Sequence, residues 1–221
     1  YNCLYHEGRI YWTGYSSGRT CVYDPSRPWT LTKGVPPGRE PANIRDKATN
    51  PRQLALFHEH KVSQMLGAVI GADNKLYLCG WGVRAYKGGA FCWVDLETEE
   101  SGAVWERFIA YRTYWLGTAL DRRMIVVSTA ATSDELNNWQ EAPEGKLFVY
   151  DTQAEEFVRE IVPVPRSKKT GPILEVEPGL MMGIADDPDE KHEGILYKLD
   201  VRSGEILFRR KLPYGAPVPD S

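Results

Sequence analysis

Short runs of alternating apolar and polar residues fill this chain, with the period of two that predicts β-strands. One pattern occurs four times: an apolar strand that ends in an aspartate, followed by a polar turn. The copies are RTCVYDPSRP, AFCWVDLETEE, KLFVYDTQAEE and ILYKLDVRSGE, and their aspartates are Asp24, Asp95, Asp151 and Asp200. We find no stretch with the i, i+3, i+4 apolar spacing of an amphipathic helix. The pattern therefore predicts an all-β protein built from a repeated unit.

Each copy is preceded by a strand rich in aromatic and β-branched residues: IYWTGY, LYLCGWG, MIVVSTA and LMMGIAD. A further strand stands before three of these, and another follows the aspartate turn, which predicts a four-stranded antiparallel meander. Such a unit of about 50 residues is typical of a β-propeller blade. The predicted blades cover residues 1–33, 61–108, 111–164 and 171–213, with an insertion over 34–60. Four blades can close a ring, but we favour part of a larger one, because the first blade lacks an evident first strand.

The spacing of the repeats predicts which connections are long. The step from Asp95 to Ile125 is 30 residues, whereas the step from Asp24 to Tyr77 is 53. We assign the additional residues to the connection between the first two blades. Strands of a meander alternate in direction, so this connection and those between second and third strands should emerge on one face. Long loops on a rigid scaffold make that face the expected functional one.

Composition narrows the function classes. The net charge of −3 argues against a nucleic-acid-binding protein, whose affinity rests on a strong basic excess. No apolar run approaches the roughly 18 residues that a membrane-spanning helix needs. The chain starts with Tyr rather than Met, so we expect a removed leader or a longer parent chain. A soluble, secreted or periplasmic protein is the expectation, with a cytoplasmic location as the alternative.

The four cysteines fit no zinc-binding spacing and suit small buried apolar positions. Pairing residues whose numbers sum to 171 in the hairpin LYLCGWGVRAYKGGAFCWVD would place Cys79 directly opposite Cys92. We therefore expect these two residues to be cross-strand neighbours.

Basic residues collect in two neighbouring segments. Residues 33–61 contain six Lys or Arg against three acids, and the loop WGVRAYKGG adds Arg84 and Lys87. Within the first segment His58 and His60 flank Glu59, and an extended backbone would place both imidazoles on one side. The histidines could equally begin a strand on a solvated rim. A metal site would need another ligand, which nothing nearby provides.

The other two long loops lean acidic. TSDELNNWQEAPEG contains Trp139, which could stack on a sugar or pack onto its own loop. ADDPDEKHEG could bind calcium, although its spacing fits no calcium motif and a solvated acidic turn is the simpler interpretation. Its possible ligands are Asp186, Asp187, Asp189, Glu190 and His192. We expect no cofactor. Nucleophile-elbow, phosphate-loop and His-Glu-x-x-His motifs do not occur in the sequence.

Several segments resemble a known family. GADNKLYLCGW, GGAFCWVDLETEE, KLFVYDTQAEEFVREIVPVP and GILYKLDVRSGEILFRRKLP, with NPRQLALFHEH upstream, resemble the seven-bladed propellers of polysaccharide lyases of the ulvan-lyase and rhamnose-glucuronate-lyase type. The resemblance implies a seven-bladed ring, of which four blades are visible. It also implies β-elimination at a uronic acid, in which Arg or His neutralises the sugar carboxylate and Tyr or His removes the C5 proton.

Candidates for these roles lie on the predicted functional face. Arg84 is the candidate neutralising group, Tyr86 the base or acid, and His58 or His60 its partner. The candidate substrate-binding residues are Arg52, Trp81, Lys87 and Trp139. Two functions follow: a lyase that cleaves a uronate-containing glycan, or a non-catalytic propeller that binds a protein or glycan through the same face. Neither function involves nucleic acid or a membrane.

Overall fold

The computed structural model describes residues 2–14, 18–32, 41–60, 62–82, 88–131, 142–191 and 193–212. These residues form four four-stranded antiparallel sheets. The strands of blade 1 are β1 (Cys3–His6), β2 (Arg9–Thr13), β3 (Arg19–Tyr23) and β4 (Arg52–Leu56). Those of blade 2 are β5 (Val62–Ile70), β6 (Lys75–Gly82), β7 (Gly89–Asp95) and β8 (Ser101–Val104).

Blades 3 and 4 repeat the arrangement. Blade 3 contains β9 (Arg112–Ala119), β10 (Met124–Ala130), β11 (Leu147–Asp151) and β12 (Glu156–Ile161). Blade 4 contains β13 (Thr170–Glu177), β14 (Leu180–Asp186), β15 (Gly194–Asp200) and β16 (Glu205–Lys211). Two short 3₁₀ helices, Phe57–His60 and Glu106–Phe108, connect blades. In the described ranges, no helix is long and apolar enough to cross a membrane. The all-β prediction with four-stranded blades is confirmed.

The insertion of blade 1 lies elsewhere than predicted. Arg52–Leu56 pairs with β3 as the fourth strand of blade 1, so the additional residues connect β3 to β4 rather than blade 1 to blade 2. Asn50 joins the two ends of this insertion: its side-chain oxygen accepts from the Asp24 N–H (2.9 Å) and its amide nitrogen donates to the Asp24 carbonyl (2.8 Å). The first strand that the sequence did not reveal is Cys3–His6.

The strand order defines two faces of the molecule. We call upper the face with the connections between second and third strands and between blades, and lower the face with the two hairpin turns of each blade. The strands with Tyr77, Ile125 and Met181 are second in their blades, as predicted. The insertion of blade 1 is a connection between third and fourth strands and therefore belongs to the lower face, which corrects the prediction that all long connections share one face.

The four repeated aspartates shape the lower-face turns. The Asp95 carboxylate accepts hydrogen bonds from the backbone N–H groups of Glu97 (2.9 Å) and Thr98 (2.8 Å). Equivalent bonds reach Asp24 from Ser26, Asp151 from Gln153 and Asp200 from Arg202. Side chains of Asp commonly stabilise turns in this way. The aspartate that recurs in the sequence therefore serves to stabilise a turn in each blade.

Each blade packs on the next through an apolar interface. Between blades 2 and 3 the interface is aromatic, with Tyr77 and Phe91 stacked at 5.2 Å and Phe91 5.0 Å from Tyr150. Between blades 3 and 4 the buried ring of Tyr197 packs in one apolar cluster with Val126 and Val149. Within blade 4 the same ring covers Gly183, where any Cβ would collide with it. The interior is thus a series of blade interfaces rather than one central core.

The predicted register of the second hairpin is wrong by one residue. Leu78 pairs with Cys92 and Cys79 pairs with Phe91, so paired numbers sum to 170. Because successive strand residues point to opposite faces, Cys79 packs toward blade 3 and Cys92 toward blade 1. In the described chain all four cysteines are free thiols.

Candidate ligand-binding rim

The inner edge of the fold is formed by the first strands of the blades. β1 lies beside β5, β5 beside β9, and β9 beside β13. Each of these strands begins on the upper face, where the second strands end. Residues at the start of a first strand or the end of a second strand therefore meet at the inner rim of the upper face.

A β-bulge in blade 3 brings two aromatic side chains together at this rim. Ser128 pairs with Trp115 and Thr129 with Thr113, which leaves Tyr114 as the additional residue of β9. Neighbouring residues of a regular strand point to opposite faces, and a bulge changes this direction. As a result the rings of Tyr114 and Trp115 stack at 5.1 Å with an interplanar angle of 26°.

Two cations complete what we call the rim cluster, which consists of Trp81, Arg112, Tyr114, Trp115 and Lys169. The Arg112 guanidinium lies 4.4 Å from the centre of the Trp81 ring, which meets the Tyr114 ring edge-on at 5.5 Å. The Lys169 ammonium lies 5.0 Å from the Tyr114 ring and 5.2 Å from the Trp115 ring. These distances are within the range of cation–π attraction. The cluster therefore holds two positive charges over a continuous aromatic surface.

The positions within the cluster differ in solvent access. Tyr114 is buried, whereas Trp81, Arg112, Trp115 and Lys169 are partly exposed. Tyr114 thus packs on the buried side of the cluster, and the other four side chains have surface that a ligand can contact. The indole N–H of Trp81 is buried and has no hydrogen-bond partner among the described residues, so packing rather than hydrogen bonding holds this ring.

The candidate histidines do not have the extended backbone that would place both imidazoles on one side. His58 and His60 lie in the 3₁₀ helix Phe57–His60, not in an extended strand. Residues two apart in a helix of three residues per turn point in different directions, so the imidazoles do not share a side. His58 is exposed, and the His60 ring packs 6.0 Å from the Phe57 ring. The helix packs against β5 and the outer strand β8.

Arg52 lies on the lower face, whereas Trp81, at the end of β6, lies on the upper face. It begins β4, and its guanidinium forms an ion pair with Glu99 in the turn between β7 and β8. Lys47 of the insertion also reaches Glu99, at 3.4 Å. Arg52 therefore links the insertion of blade 1 to blade 2, on the face opposite to the predicted one, and its substrate-binding role stays a prediction.

The acidic loop of blade 4 is closed by basic residues of the same chain. The Lys211 ammonium contacts the carboxylates of Asp187 (3.2 Å), Glu190 and Glu193 (3.1 Å). The hydrogen bond with Glu190 makes the largest contribution to a raised pKa of Lys211, and the bonds with Glu193 and Asp187 add to it. Arg166 holds Asp189 through two hydrogen bonds of 2.9 and 3.0 Å. Four carboxylates of this loop are thus already engaged by Lys211 and Arg166, and no group of three or more metal-binding side chains occurs in the described ranges.

Four candidates of the sequence lie outside the described residues: Arg84, Tyr86, Lys87 and Trp139. Their catalytic or binding roles stay predictions, as do those of His58, His60 and Trp81. Trp81 is the candidate that the structure places in the rim cluster.

Sequence reasoning missed the rest of the rim cluster. The segment YRTYWLG places three aromatic residues and an arginine at the start of β9, and RSKK precedes β13. These two runs are the features of the sequence that could have indicated the cluster. The alternation of a regular strand, however, predicts Tyr114 and Trp115 on opposite faces, and only the bulge brings them together.

The four blades place this chain among the β-propeller proteins. No protein-family profile matches it, and no curated protein matches it in sequence. The fold is similar to a solved Dos1 propeller (TM-score 0.59, 11% identity, 96% of this chain) and to hydrazine synthase of Kuenenia stuttgartiensis (0.56, 11%, 93%). It is also similar to a puromycin-hydrolysing peptidase of Mycobacterium tuberculosis (0.53, 16%, 96%). This chain spans 46%, 46% and 28% of their respective lengths. At such identities the likeness extends to the fold alone.

Proposed function

We propose that this chain belongs to a non-catalytic propeller that binds an acidic partner at the inner rim of its upper face. The supporting observation is the rim cluster, in which Arg112 and Lys169 are held against the rings of Trp81, Tyr114 and Trp115. Cations that are fixed in place before binding lose little side-chain entropy when a carboxylate arrives.

The partner should carry negative charge and also have flat rings or apolar groups that can pack on the aromatic side chains. A uronate-containing glycan has both features, because its sugar rings can lie on Trp115 while its carboxylates reach Lys169. An acidic peptide with apolar side chains has them as well. Either ligand would bind more weakly as salt is added, since part of the attraction is between partly exposed charges.

Cleavage of the glycan is the more specific form of this proposal, and we place it second. It needs a proton-transferring pair, for which the candidates are Tyr86 with His58 or His60. The two histidines point in different directions from their 3₁₀ helix. A lyase would release an unsaturated product, so the absorbance of the solution would rise as this product accumulates. Tyr86→Phe would abolish that rise while binding persists.

Calorimetric titration of the purified chain tests the binding proposal with two probes, an oligogalacturonate and an oligoglutamate. At least one probe should bind at low salt. Lys169→Gln and Trp115→Ala should each weaken binding about tenfold, equivalent to about 1.4 kcal/mol. The matched control is Lys198→Gln, a partly exposed lysine that pairs with Glu177 (2.9 Å) in blade 4.

The outcomes separate the alternatives. Binding of only one probe identifies the partner as glycan or protein. If neither probe binds, or if the Lys169 and Trp115 variants bind as tightly as Lys198→Gln, the rim cluster is structural and the proposal fails. Circular dichroism of each variant verifies that a loss of binding is not a loss of fold.

A further inference from the structure

A residue with a left-handed backbone recurs in the lower-face turns of blades 2, 3 and 4. It stands four residues after the repeated aspartate and is Glu99 in blade 2 (φ +65°), Glu155 in blade 3 (φ +54°) and Gly204 in blade 4 (φ +81°). Each of these turns joins the third and fourth strands, so the residue lies at the outer, lower margin of its blade. The three positions are therefore equivalent in the fold.

In blades 2 and 3 this position holds a carboxylate that binds a cation of the preceding blade. Glu99 of blade 2 forms an ion pair with Arg52 of blade 1. Glu155 of blade 3 forms an ion pair with Lys75 of blade 2. In both cases the glutamate compensates a positive charge that the preceding blade places at the outer margin of the interface.

Blade 4 receives a cation at the same place but has no carboxylate there. Arg159, on β12 of blade 3, extends over Gly204, because a Cβ at residue 204 would lie 3.3 Å from the Arg159 Cδ. The Arg159 guanidinium donates a hydrogen bond to the carbonyl oxygen of Arg202 at 2.6 Å. Arg159 is exposed and forms no ion pair with a residue that the structure describes. Its charge is thus uncompensated where the two other blades provide an acid.

An open groove of about 450 Å³ lies between blades 3 and 4 at this margin, and we call it the outer groove. Residues 158–162 form one wall, and Ser203, Gly204 and Ile206 form the other. Ile161 is part of the apolar cluster between blades 3 and 4, and Ile206 packs against that cluster. The outer groove therefore places apolar side chains next to the charge of Arg159.

A second arginine reaches across the same margin. Arg209 of β16 pairs with Tyr197, whose ring packs in the interface with blade 3, so the Arg209 side chain also faces blade 3. Its Nε donates to the carbonyl oxygen of Pro163 at 2.5 Å, one residue beyond the wall 158–162. Like Arg159, it forms no ion pair within the described part of the chain. Two backbone carbonyls therefore hold two uncompensated cations beside the outer groove.

We propose that the outer groove binds an extended acidic segment of a partner protein. One carboxylate of this segment takes the place that Glu99 and Glu155 occupy in blades 2 and 3. The groove lies at the outer margin of the lower face, whereas the rim cluster lies at the inner rim of the upper face, so this is a second site.

The charge and the shape of the outer groove both fit such a segment. Arg159 and Arg209 each use one hydrogen bond to a carbonyl, and an arginine has further N–H donors that suit carboxylate oxygens. The wall formed by residues 158–162 spans roughly 15 Å at the rise of a β-strand, which matches about five residues of extended peptide. Successive side chains of an extended peptide point to opposite sides, so apolar ones can contact Ile161 and Ile206 while acidic ones face the arginines.

Fluorescence anisotropy of the 221-residue chain with two labelled hexapeptides tests this proposal. One peptide alternates glutamate with valine, and the other alternates lysine with valine. The wild-type chain should bind the glutamate peptide at low salt and should not bind the lysine peptide. Arg159→Gln should weaken binding about tenfold, because it removes a charged hydrogen-bond donor. Gly204→Glu should weaken it at least as much, because the new carboxylate would pair with Arg159 as Glu99 pairs with Arg52.

Two matched variants separate the effect of charge from that of shape. Gly204→Ala adds a Cβ without a carboxylate and should bind the glutamate peptide nearly as tightly as wild type. Arg210→Gln removes an exposed arginine next to Arg209 that points to the opposite side of β16, and it should leave binding unchanged. Circular dichroism of each variant verifies that it remains folded.

The rim variant Lys169→Gln distinguishes this site from the rim cluster. It should retain binding in the outer groove, whether or not the rim cluster binds a ligand of its own. If binding of the glutamate peptide is lost in Lys169→Gln but unchanged in Arg159→Gln and Gly204→Glu, the peptide binds at the rim cluster and the outer groove is not a site. Equal binding of the two peptides, or binding of neither, would also overturn the proposal.

Discussion

Thr113 of blade 3 is hydrogen-bonded to the backbone of Gly80 in blade 2. The Thr113 hydroxyl accepts a hydrogen bond from the Gly80 N–H at 2.9 Å and lies within donating distance of the carbonyl oxygens of Gly80 (2.8 Å) and Ala90 (2.9 Å). Thr170 repeats this contact one blade later, with the N–H and carbonyl of Thr129. A threonine near the start of a first strand thus joins two blades.

We expect Thr113→Val to destabilise the protein by about 1–3 kcal/mol, because it keeps the shape but leaves a buried N–H and a buried carbonyl without a partner. Urea unfolding measures this change. The control is Thr20→Val, since the Thr20 hydroxyl is buried without a hydrogen-bond partner among the described residues. That substitution should be neutral or slightly stabilising. Equal losses in both variants would show that the bonds of Thr113 add nothing.

Gly204 occupies a left-handed position in the turn between β15 and β16. Its φ is +81°, and Glu155, at the equivalent place in blade 3, has φ +54°. A Cβ in this region costs about 1–2 kcal/mol. We therefore expect Gly204→Ala to lower the free energy of unfolding by about 1 kcal/mol.

The reverse comparison at residue 155 serves as the control. Glu155→Gly and Glu155→Ala both remove the ion pair with Lys75, but only glycine relieves the left-handed conformation. The glycine variant should be the more stable of the two in urea unfolding. A more stable alanine variant would contradict the proposed effect of the turn.

The propeller could be predicted because its signals are local. Alternation within each strand and the aspartate of each turn lie within a few residues of one another, so four repeats suffice to define the blade. The position of β4 is different, because its pairing with β3 spans the whole insertion. Asn50, which joins the two ends of that insertion, has no local signature in the sequence.

The register of the β6–β7 hairpin and the position of the bulge in β9 could also not be predicted from the sequence. The loop between β6 and β7 permits pairing sums of 170 or 171, and the choice depends on which side chains fill each blade interface. A slip of one residue exchanges the two faces of a strand. The rim cluster depends on the bulge at Tyr114, and strand alternation alone gives no indication of a bulge.

The observed register makes a prediction about thiol reactivity. Burial raises the pKa of the Cys79 thiol to about 12 and that of Cys21 to about 11, and it also raises the pKa of Cys92. Thiolates are the reactive form, so these three should resist a thiol reagent at pH 8 in the native state. Exposed Cys3 should be labelled alone. Mass spectrometry of the labelled protein, before and after unfolding in urea, measures both states. Fast native labelling of Cys79 would contradict its place in the interface.

The aspartate turns predict how stability depends on pH. The backbone N–H of Thr98 and that of Glu97 hold the pKa of Asp95 below its usual value of about 4. A lowered pKa in the folded state contributes stability that is complete above the unfolded value and is lost as the pH falls through the folded value. The pKa values of Asp24 and Asp151 are lowered as well, by Ser26 and Arg123 respectively. The urea midpoint should therefore fall as the pH drops below about 4.

Asp95→Asn isolates the contribution of one turn. The amide can still accept a hydrogen bond but carries no charge, so this variant should be less stable than wild type at pH 7 and should lose less stability on acidification. Asp121→Asn is the matched control, because residue 121 is exposed and has a positive φ (+54°) that asparagine also tolerates. Its urea midpoint should follow the wild-type pH profile. If Asp95→Asn follows that profile too, the charge of the turn aspartate does not contribute to folding, and the repeated aspartates act through their hydrogen-bonding geometry alone.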